Sequence, residues 1–291
     1  MIIAVASGKG GTGKTTVATS LALSLAAVGS TPPLFLDCDV EAPNAHLFLK
    51  PTFDQCKEVS IPIPAVDETR CSHCCKCAEI CQYHAIAVLG QKTLVFPQLC
   101  HGCGSCTTLC PEQAITEMPE IIGVVEQGFT PEGIHFGRGV MDVGEPMAIP
   151  VIRQLLSWIQ AAPGQLVIRD VPPGASCPVV ASVRNSDFLL LVTEPTPFGL
   201  HDLKLMVQIG RELKIPMGVV VNRDNGSGFS GLDDFCQAAH LPVLMRIPFE
   251  RAIAEGIAQG SSLVEIHPDL TRRFQELVSQ IASAIQWEVI Y

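Results

Sequence analysis

Nine of the 13 cysteines lie between residues 71 and 110, and eight of these form two runs with the same spacing. Each run reads C-x2-C-x2-C-x3-C, and the second begins 29 residues after the first. The same offset aligns Ala85-Ile86 with Ala114-Ile115, so the segment is an internal duplication. We expect no export signal in this chain of 291 residues, and so dense a group of cysteines then indicates metal ligation rather than a disulfide framework.

The spacing favours two [4Fe-4S] clusters with interleaved ligands. In two-cluster ferredoxins, which residues 63–117 resemble, the fourth cysteine of each run binds the other cluster. We therefore expect cluster 1 on Cys71, Cys74, Cys77 and Cys110, and cluster 2 on Cys81, Cys100, Cys103 and Cys106. A pair of structural zinc sites is the alternative, although such sites usually combine two separated C-x2-4-C pairs.

Two positions depart from the ferredoxin pattern. Gln82 follows the fourth cysteine of the first run, where Pro111 follows that of the second. Cys75 stands where a small residue is usual, so it adds a thiol near cluster 1 and leaves open which sulfur binds. We favour Cys74 because it matches Cys103 across the repeat.

The chain begins with the pattern of a phosphate-binding loop. An apolar run of strand length at 2–6 precedes the loop, and a helical pattern follows it to a predicted C-cap at Gly29. This is the context that a G-x4-G-K-[ST] motif requires. Lys14 is expected at the β- and γ-phosphates and Thr15 on Mg2+. The residues expected to bind the nucleotide are Gly8, Lys9, Gly10, Gly11, Thr12, Gly13, Lys14, Thr15 and Thr16.

Lys9 precedes Gly10-Gly11 in the sequence KGGTGKTT, which resembles the deviant Walker A ATPases. That group includes MinD, ParA, Mrp and the nitrogenase iron protein. The resemblance implies ATP, Mg2+ and a nucleotide-dependent dimer, formed with a second copy or with a related ATPase. It also implies that Lys9 reaches the nucleotide of the partner subunit. The alternative is that Lys9 is a surface lysine in a glycine loop.

Acidic residues at two strand ends extend the resemblance. It implies that Asp39 orients the attacking water, so that Lys9, Lys14 and Asp39 are the expected catalytic residues. Asp37 is expected to support the Mg2+ shell. Asp170 precedes V-P-P-G, a segment that resembles the switch of the Mrp-like branch, and is expected to hold Mg2+ through water. Arg169, in place of an apolar residue, is expected to put a cation beside that carboxylate.

Two later residues are expected near the adenine base. Asn222 ends a predicted strand, and its amide offers a donor and an acceptor to the base edge. Its alternative role is that of a turn residue at a strand end. Pro248 matches a loop that borders the base in relatives. Cys177, after the switch segment, is expected to be a buried small apolar residue.

The predicted fold class is α/β. We expect a doubly wound, mostly parallel sheet of the P-loop type, with a small α+β ferredoxin-like domain inserted into it. Residues 1–62 and 118–291 form the discontinuous ATPase domain and residues 63–117 the insertion, with borders at Pro51, Pro62, Pro64 and Pro119. Short strands are expected at 121–127 and 133–142, and a helix near 150–161. Nearly the whole chain resembles MinD-superfamily ATPases that carry such an insertion.

The charge and hydrophobicity of the chain exclude some classes of partner. A formal net charge of −10 argues against a broad nucleic-acid surface. No apolar run approaches the roughly 18 residues that a membrane span needs. The apolar stripe over 268–286 is expected to be a core helix rather than a membrane anchor, because its polar face is not lysine-rich. We therefore expect a cytoplasmic protein with no nucleic-acid partner and no stable membrane anchor.

These features together predict an ATP-hydrolysing dimeric switch coupled to iron–sulfur electron transfer. Its expected partner is a redox protein or a metal-cofactor assembly system. One alternative is a MinD/ParA-like spatial or regulatory switch whose clusters sense redox state. Another is a passive ferredoxin whose nucleotide domain only regulates docking.

Overall fold

The computed structural model describes residues 1–28, 31–226 and 229–286, so the helix end predicted at Gly29 lies outside the described residues. The strands are β1 (Ile2–Ala6), β2 (Leu34–Asp37), β3 (Thr52–Val66), β4 (Ile86–Leu89), β5 (Lys92–Val95), β6 (Ile115–Phe129), β7 (His135–Met141), β8 (Val167–Asp170), β9 (Phe188–Thr193), β10 (Met217–Asp224) and β11 (Val243–Pro248). The helices are α1 (Lys14–Ala26), α2 (His46–Leu49), α3 (Lys76–Ile80), α4 (Ser105–Thr108), α5 (Ala148–Trp158), α6 (Cys177–Val183), α7 (Pro197–Glu212), α8 (Ser230–Ala238), α9 (Arg251–Ala258), α10 (Leu263–Ile266) and α11 (Leu270–Ala284).

Within the described ranges, nine strands form one sheet in the order β11-β10-β9-β1-β8-β2-β7-β6-β3. The strands from β11 to β7 are parallel to one another, while β6 runs antiparallel to both of its neighbours. The central strands β1 and β9 are almost wholly buried, as expected for parallel strands covered on both faces. The predicted doubly wound, mostly parallel sheet is confirmed.

Helices cover both faces of this sheet. On one face α1 packs against α11, with Val17 and Leu21 in the same core as Phe274, Leu277 and Ile281. On the other face the core includes Leu203 and Val207 of α7 and Leu232 of α8. The apolar stripe of α11 is therefore a core surface, as its sequence predicted. No helix among the described residues combines the length and apolar character needed to cross a bilayer.

The longest strands, β3 and β6, form an antiparallel ribbon that continues past the edge of the sheet. β7 pairs with β6 only from Gly123 to Phe129, whereas β3 pairs with β6 as far as Ile115. Residues 60–66 of β3 therefore extend the ribbon by about 20 Å, at roughly 3.3 Å per residue. The cysteine-rich segment lies between the two far ends of this ribbon.

Three of the four prolines expected at the borders, Pro62, Pro64 and Pro119, lie inside these strands, and Pro51 directly precedes β3. Pro62 lies opposite Pro119, and Pro64 lies two residues further along β3. Proline is tolerated in a strand whose N–H side needs no partner. From Ile121 back to Ile115, neither ribbon strand pairs with a third strand among the described residues. These prolines therefore interrupt no hydrogen-bond ladder to a neighbouring strand.

A β-bulge marks the point where the ribbon leaves the sheet. Val59 pairs with Gly123 and Ser60 pairs with Ile121, so Ile122 is the extra residue. The Ile122 side chain is fully buried, in the core that also holds Ile61 and Leu155 of α5. Its neighbour Ile121 is 47% exposed. The bulge thus turns Ile122 into the core where the ribbon leaves the sheet.

We expect Ile122→Ala to lower the free energy of unfolding by about 2–5 kcal/mol, because it leaves a cavity under the ribbon. Ile121→Ala is the matched control and should change it by less than about 0.5 kcal/mol. Urea denaturation followed by circular dichroism measures both. Equal effects of the two substitutions would show that Ile122 does not anchor the ribbon.

Candidate functional site

The glycine-rich loop connects the end of β1 to α1 at the centre of the sheet. Gly13 has a φ of +89° and precedes Lys14, the first residue of α1. A Cβ at Gly13 would lie 2.2 Å from Nδ2 of Asn222, so a larger residue there would displace the Asn222 side chain. The loop therefore presents its backbone at a helix N-terminus, which is the arrangement that binds phosphate.

Register brings the acidic strand ends to this loop. In the sheet, Asp170 of β8 lies beside Val5 of β1 and beside Asp37 of β2. Lys14 Nζ donates to Asp170 Oδ1 at 2.6 Å, and Thr15 Oγ1 donates to Asp170 Oδ2 at 2.6 Å. The lysine and hydroxyl expected at phosphate and Mg2+ thus share one buried carboxylate.

The second carboxylate, Asp37, is held by backbone groups. It accepts N–H bonds from Asp39 at 3.2 Å, Asn44 at 3.1 Å and Ala45 at 3.0 Å. Burial, followed by the charge of Asp170, raises the pKa of Asp37 to about 7. Burial also raises the pKa of Asp39 to about 6, against the opposing charge of Lys14.

Lys14 is the cation in direct contact with Asp170. Burial acts to lower the pKa of Lys14, but contact with Asp170 outweighs it and the pKa is raised. Three carboxylates share this one ammonium group, so the site carries more negative than positive charge. A divalent cation would supply the missing charge and restore the ionised form of the carboxylates.

Arg169 does not add to that charge, and the expectation that it lies beside the Asp170 carboxylate is wrong. Successive side chains of a strand point to opposite faces, so Arg169 turns away from the loop. Its guanidinium donates to the carbonyls of Ser182 at 3.1 Å and Arg184 at 2.9 Å. It therefore binds the carboxyl end of α6, where a helix favours a cation.

A cavity of about 390 Å3 opens over the loop. Of the expected nucleotide ligands, it is lined by Gly10, Gly11, Gly13, Lys14, Thr15, Thr16, Asn222 and Pro248, together with Asp39. Gly8, Lys9 and Thr12 do not line it, and Asp37 and Asp170 lie fully buried beneath it. The Thr12 hydroxyl is buried without a hydrogen-bond partner among the described residues.

Lys9 lies outside this cavity. Its Nζ is 3.5 Å from Glu194 Oε2, and Arg223 donates to the other oxygen of Glu194 at 2.6 Å. Glu194 was not predicted as a site residue. The available signal was its position directly after the apolar run 188–193.

Asn222 contacts the loop rather than open space. Its Nδ2 donates to the carbonyl of Thr12 at 2.7 Å, and its Oδ1 accepts from the N–H of Arg223 at 3.0 Å. Both groups expected to meet the base edge thus have partners within the protein. The structure places Asn222 as a brace of the loop at the cavity wall, while Pro248 and Phe249 line the cavity beside it.

The cysteine-rich segment contains two small cavities, each lined by one of the expected sets of four cysteines. The distal cavity, beside Val66 at the end of the ribbon, is lined by Cys71, Cys74, Cys77 and Cys110, and also by Cys75. The proximal cavity, beside Pro62 and Pro64, is lined by Cys81, Cys100, Cys103 and Cys106. The fold thus brings the fourth cysteine of each run to the first three of the other.

The internal duplication is visible in the backbone. The N–H of Ala85 points to Cys81 Sγ at 3.3 Å, and that of Ala114 points to Cys110 Sγ at 3.3 Å. Such N–H···S contacts tune the potential of a bound cluster. Burial raises the pKa of Cys77, Cys100 and Cys106, so these thiols favour the neutral form until a metal binds them.

Aromatic stacking closes one side of the proximal cavity. The rings of Tyr83 and His101 stack with centroids 3.5 Å apart, and both residues line the cavity.

Cys177 lies outside the cysteine-rich segment, at the first turn of α6, and is exposed, so the expectation that it is buried is wrong. Of the three remaining thiols, Cys38 and Cys236 are buried and Cys56 is exposed.

The donor sets fit the expected groups. The Lys14–Asp170–Thr15 contacts at the floor of the cavity suit a phosphate chain with a divalent cation. Four sulfur atoms around each small cavity suit a thiolate-ligated metal centre.

We expect Thr15→Val to weaken Mg2+-dependent nucleotide binding about 10- to 100-fold, the equivalent of roughly 1.5–3 kcal/mol for a bond to a charged group. Thr19→Val is the control, because the Thr19 hydroxyl contacts only the carbonyls of Thr15 and Thr16. Calorimetric titration with ADP, with Mg2+ and with EDTA, measures both. A loss of the same size in EDTA would contradict a role for Thr15 at the cation.

Comparison with known proteins agrees with this site. A family profile described as the CobQ/CobB/MinD/ParA nucleotide binding domain matches residues 3–264. An uncharacterised protein of Methanocaldococcus jannaschii is 29% identical over 289 residues, with 97% of both chains covered. The iron-sulfur cluster carrier protein of Aquifex aeolicus is 24% identical over 308 residues, covering 99% of this chain and 69% of that protein.

Solved structures show the same fold. The cell division ATPase MinD of Pyrococcus furiosus matches with a TM-score of 0.56 and 21% identity, covering 97% of this chain and 99% of that one. MinD of Pyrococcus horikoshii, complexed with Mg-ADP, matches with a TM-score of 0.55 and 21% identity, covering 96% and 95%. The chain therefore belongs to the CobQ/CobB/MinD/ParA nucleotide-binding family of P-loop ATPases.

Proposed function

We propose that this protein is an ATP-hydrolysing dimeric switch that carries two [4Fe-4S] clusters and couples nucleotide state to electron transfer. Its partner would be a redox protein or a system that assembles iron–sulfur or other metal cofactors. The observation that carries the proposal is that one β ribbon joins both kinds of site. The ribbon is part of the sheet that ends at the nucleotide cavity, and it holds the two cysteine cavities.

The nucleotide half supplies positioning and charge. Lys14 and the loop N–H groups would hold the phosphates, and Thr15 with Asp170 would hold Mg2+. Asp39 lines the cavity, and burial raises its pKa to about 6, close to what a group that orients or deprotonates water needs. Bound Mg2+ would neutralise charge that develops on the phosphate during transfer.

The cluster half supplies electron carriers. Cys71, Cys74, Cys77 and Cys110 would hold cluster 1, and the four cysteines of the proximal cavity would hold cluster 2. Iron–sulfur clusters exchange single electrons over a wide range of potentials. The relatives named iron-sulfur cluster carriers, from Aquifex aeolicus and Escherichia coli, favour a partner in cofactor assembly.

A chain of packed side chains connects the two halves. The segment after Asp170, which would sense the γ-phosphate, leads into α6. Ala181 of α6 packs against the core formed by α5 and the ribbon residues Ile61 and Ile63. Cys100 of the proximal cavity packs against that same core. A shift of α6 on nucleotide binding would therefore reach cluster 2 through contacts that are already made.

Lys9 is proposed to close the dimer. In the single chain its ammonium group pairs with Glu194, and its side chain is 36% exposed, so the pair can separate at little cost. ATP bound in a second subunit would offer it a stronger anionic partner. Hydrolysis would remove that partner and reopen the dimer.

We expect Lys14→Ala to lower the ATPase rate by about 100-fold or more, because the phosphates lose their buried cation. Lys9→Ala should retain ATP binding but lose ATP-dependent dimerisation. Lys57→Ala, an exposed lysine on β3, is the control for a lost surface charge. Light scattering of anaerobically purified protein with ATP or ADP measures the assembly state, and phosphate release measures the rate.

Iron content of the same samples separates the two halves of the proposal. Lys14→Ala and Lys9→Ala should each retain about eight iron atoms per chain, as two [4Fe-4S] clusters require. A wild-type protein that binds zinc instead would overturn the cluster assignment. An ATP-bound wild-type protein that remains a monomer would overturn the dimeric switch.

A further inference from the structure

The two cysteine cavities differ by one thiol. The distal cavity is lined by five cysteines and the proximal cavity by four. The additional residue is Cys75, and the offset of 29 residues makes Gly104 its equivalent in the second run. The duplication therefore provides an internal comparison in which a single position distinguishes the two sites.

The backbone is the same at both positions. Cys75 has φ 64° and ψ −4°, while Gly104 has φ 73° and ψ −1°, and each precedes a short helix. Left-handed backbone favours glycine, so cysteine at 75 is the less favourable choice for the chain itself. The side chain, rather than the local conformation, must explain its presence.

The position also faces the cavity. A Cβ at Gly104 would lie 3.1 Å from Oε1 of Glu117, a residue that lines the proximal cavity. The repeat equivalent of Glu117 is Val88, which lines the distal cavity. The Cys75 side chain thus projects along the wall of the cavity that holds the thiols expected to bind cluster 1.

Cys74 and Cys75 are also the two exposed thiols of this set. Cys71, Cys77 and Cys110 are partly buried. The Cys75 sulfur makes only a weak 3.6 Å contact, with the carbonyl of His73. An iron atom at the Cys74 corner of a cluster would therefore lie at the solvent edge, with a second uncommitted thiol on the next residue.

We propose that Cys75 is an alternate ligand of cluster 1 and takes the place of Cys74 when that thiolate leaves the iron. This inference rests on the proposed function, because it requires the two clusters. In the exchange the bond from iron to Cys74 Sγ breaks and a bond to Cys75 Sγ forms. The proton of the Cys75 thiol passes to the released Cys74 thiolate, so no electron is gained or lost. Cluster 1 thereby survives the loss of one ligand, whereas cluster 2 does not.

Iron and sulfide content of anaerobically purified full-length variants tests the proposal. Wild type should hold about eight iron atoms per chain. Cys74→Ala and Cys75→Ala should each retain that amount, because either thiol suffices. The double variant C74A/C75A should fall by about half. Cys103→Ala, the repeat equivalent of Cys74 with glycine as its neighbour, should also fall by about half.

Electron paramagnetic resonance of the reduced samples identifies which cluster remains. The Cys74→Ala spectrum should keep two interacting clusters with an altered signal from one, and the double variant should show a single isolated cluster. ADP binding to each variant checks that the chain is folded. Loss of half the iron in Cys74→Ala alone would overturn the proposal, as would equal iron in Cys74→Ala and C74A/C75A. Wild type without clusters would overturn the proposed function itself, before any variant is compared.

Discussion

The pairing of β3 with β6 is the constraint on which the rest of the structure depends. A cysteine-rich segment of some 50 residues has few buried apolar side chains of its own, and it is held by two strands that belong to the central sheet. Ile122, at the bulge, fixes those strands to the core beneath α5. Because the same sheet places Asp37 and Asp170 at the phosphate-binding loop, one backbone framework sets the position of both kinds of site.

This framework explains how two chemistries could influence each other. The hydrogen bonds between β3 and β6 resist sliding of one strand past the other. A displacement of the ribbon where it joins the sheet would therefore reach the cysteine-rich segment at its far end. The core under α5 contains ribbon residues, contacts α6 and touches Cys100 of the proximal cavity. The distal cavity lies further from the sheet, at the end of the ribbon. In the proposed switch, cluster 2 would respond to the nucleotide, and cluster 1 would face the partner.

Much of this arrangement could be predicted because its signals are local. The loop from Gly8 to Thr16 and each cysteine run are encoded by a few consecutive residues. The pairing register of the strands then brings the residues that face them into place. Contacts between residues that are distant in the sequence were harder to predict. Arg169 was misplaced because it is next to Asp170 in sequence, whereas alternation along β8 turns the two side chains to opposite faces. Cys177 was misplaced because the exposure of α6 depends on packing between residues distant in sequence. The prolines of the ribbon resembled borders, since a free strand edge is not visible in sequence.

The central claim is that nucleotide chemistry and cluster redox state are coupled within one chain. The most direct test is the ATPase rate of anaerobically purified wild-type protein, measured first with its clusters oxidised and then after reduction. Our account predicts that the rate changes between the two states, and that the change disappears in Cys103→Ala, which disrupts the cluster nearest the sheet. The same rate in both states would contradict intrinsic coupling and would leave two independent functions in a single fold.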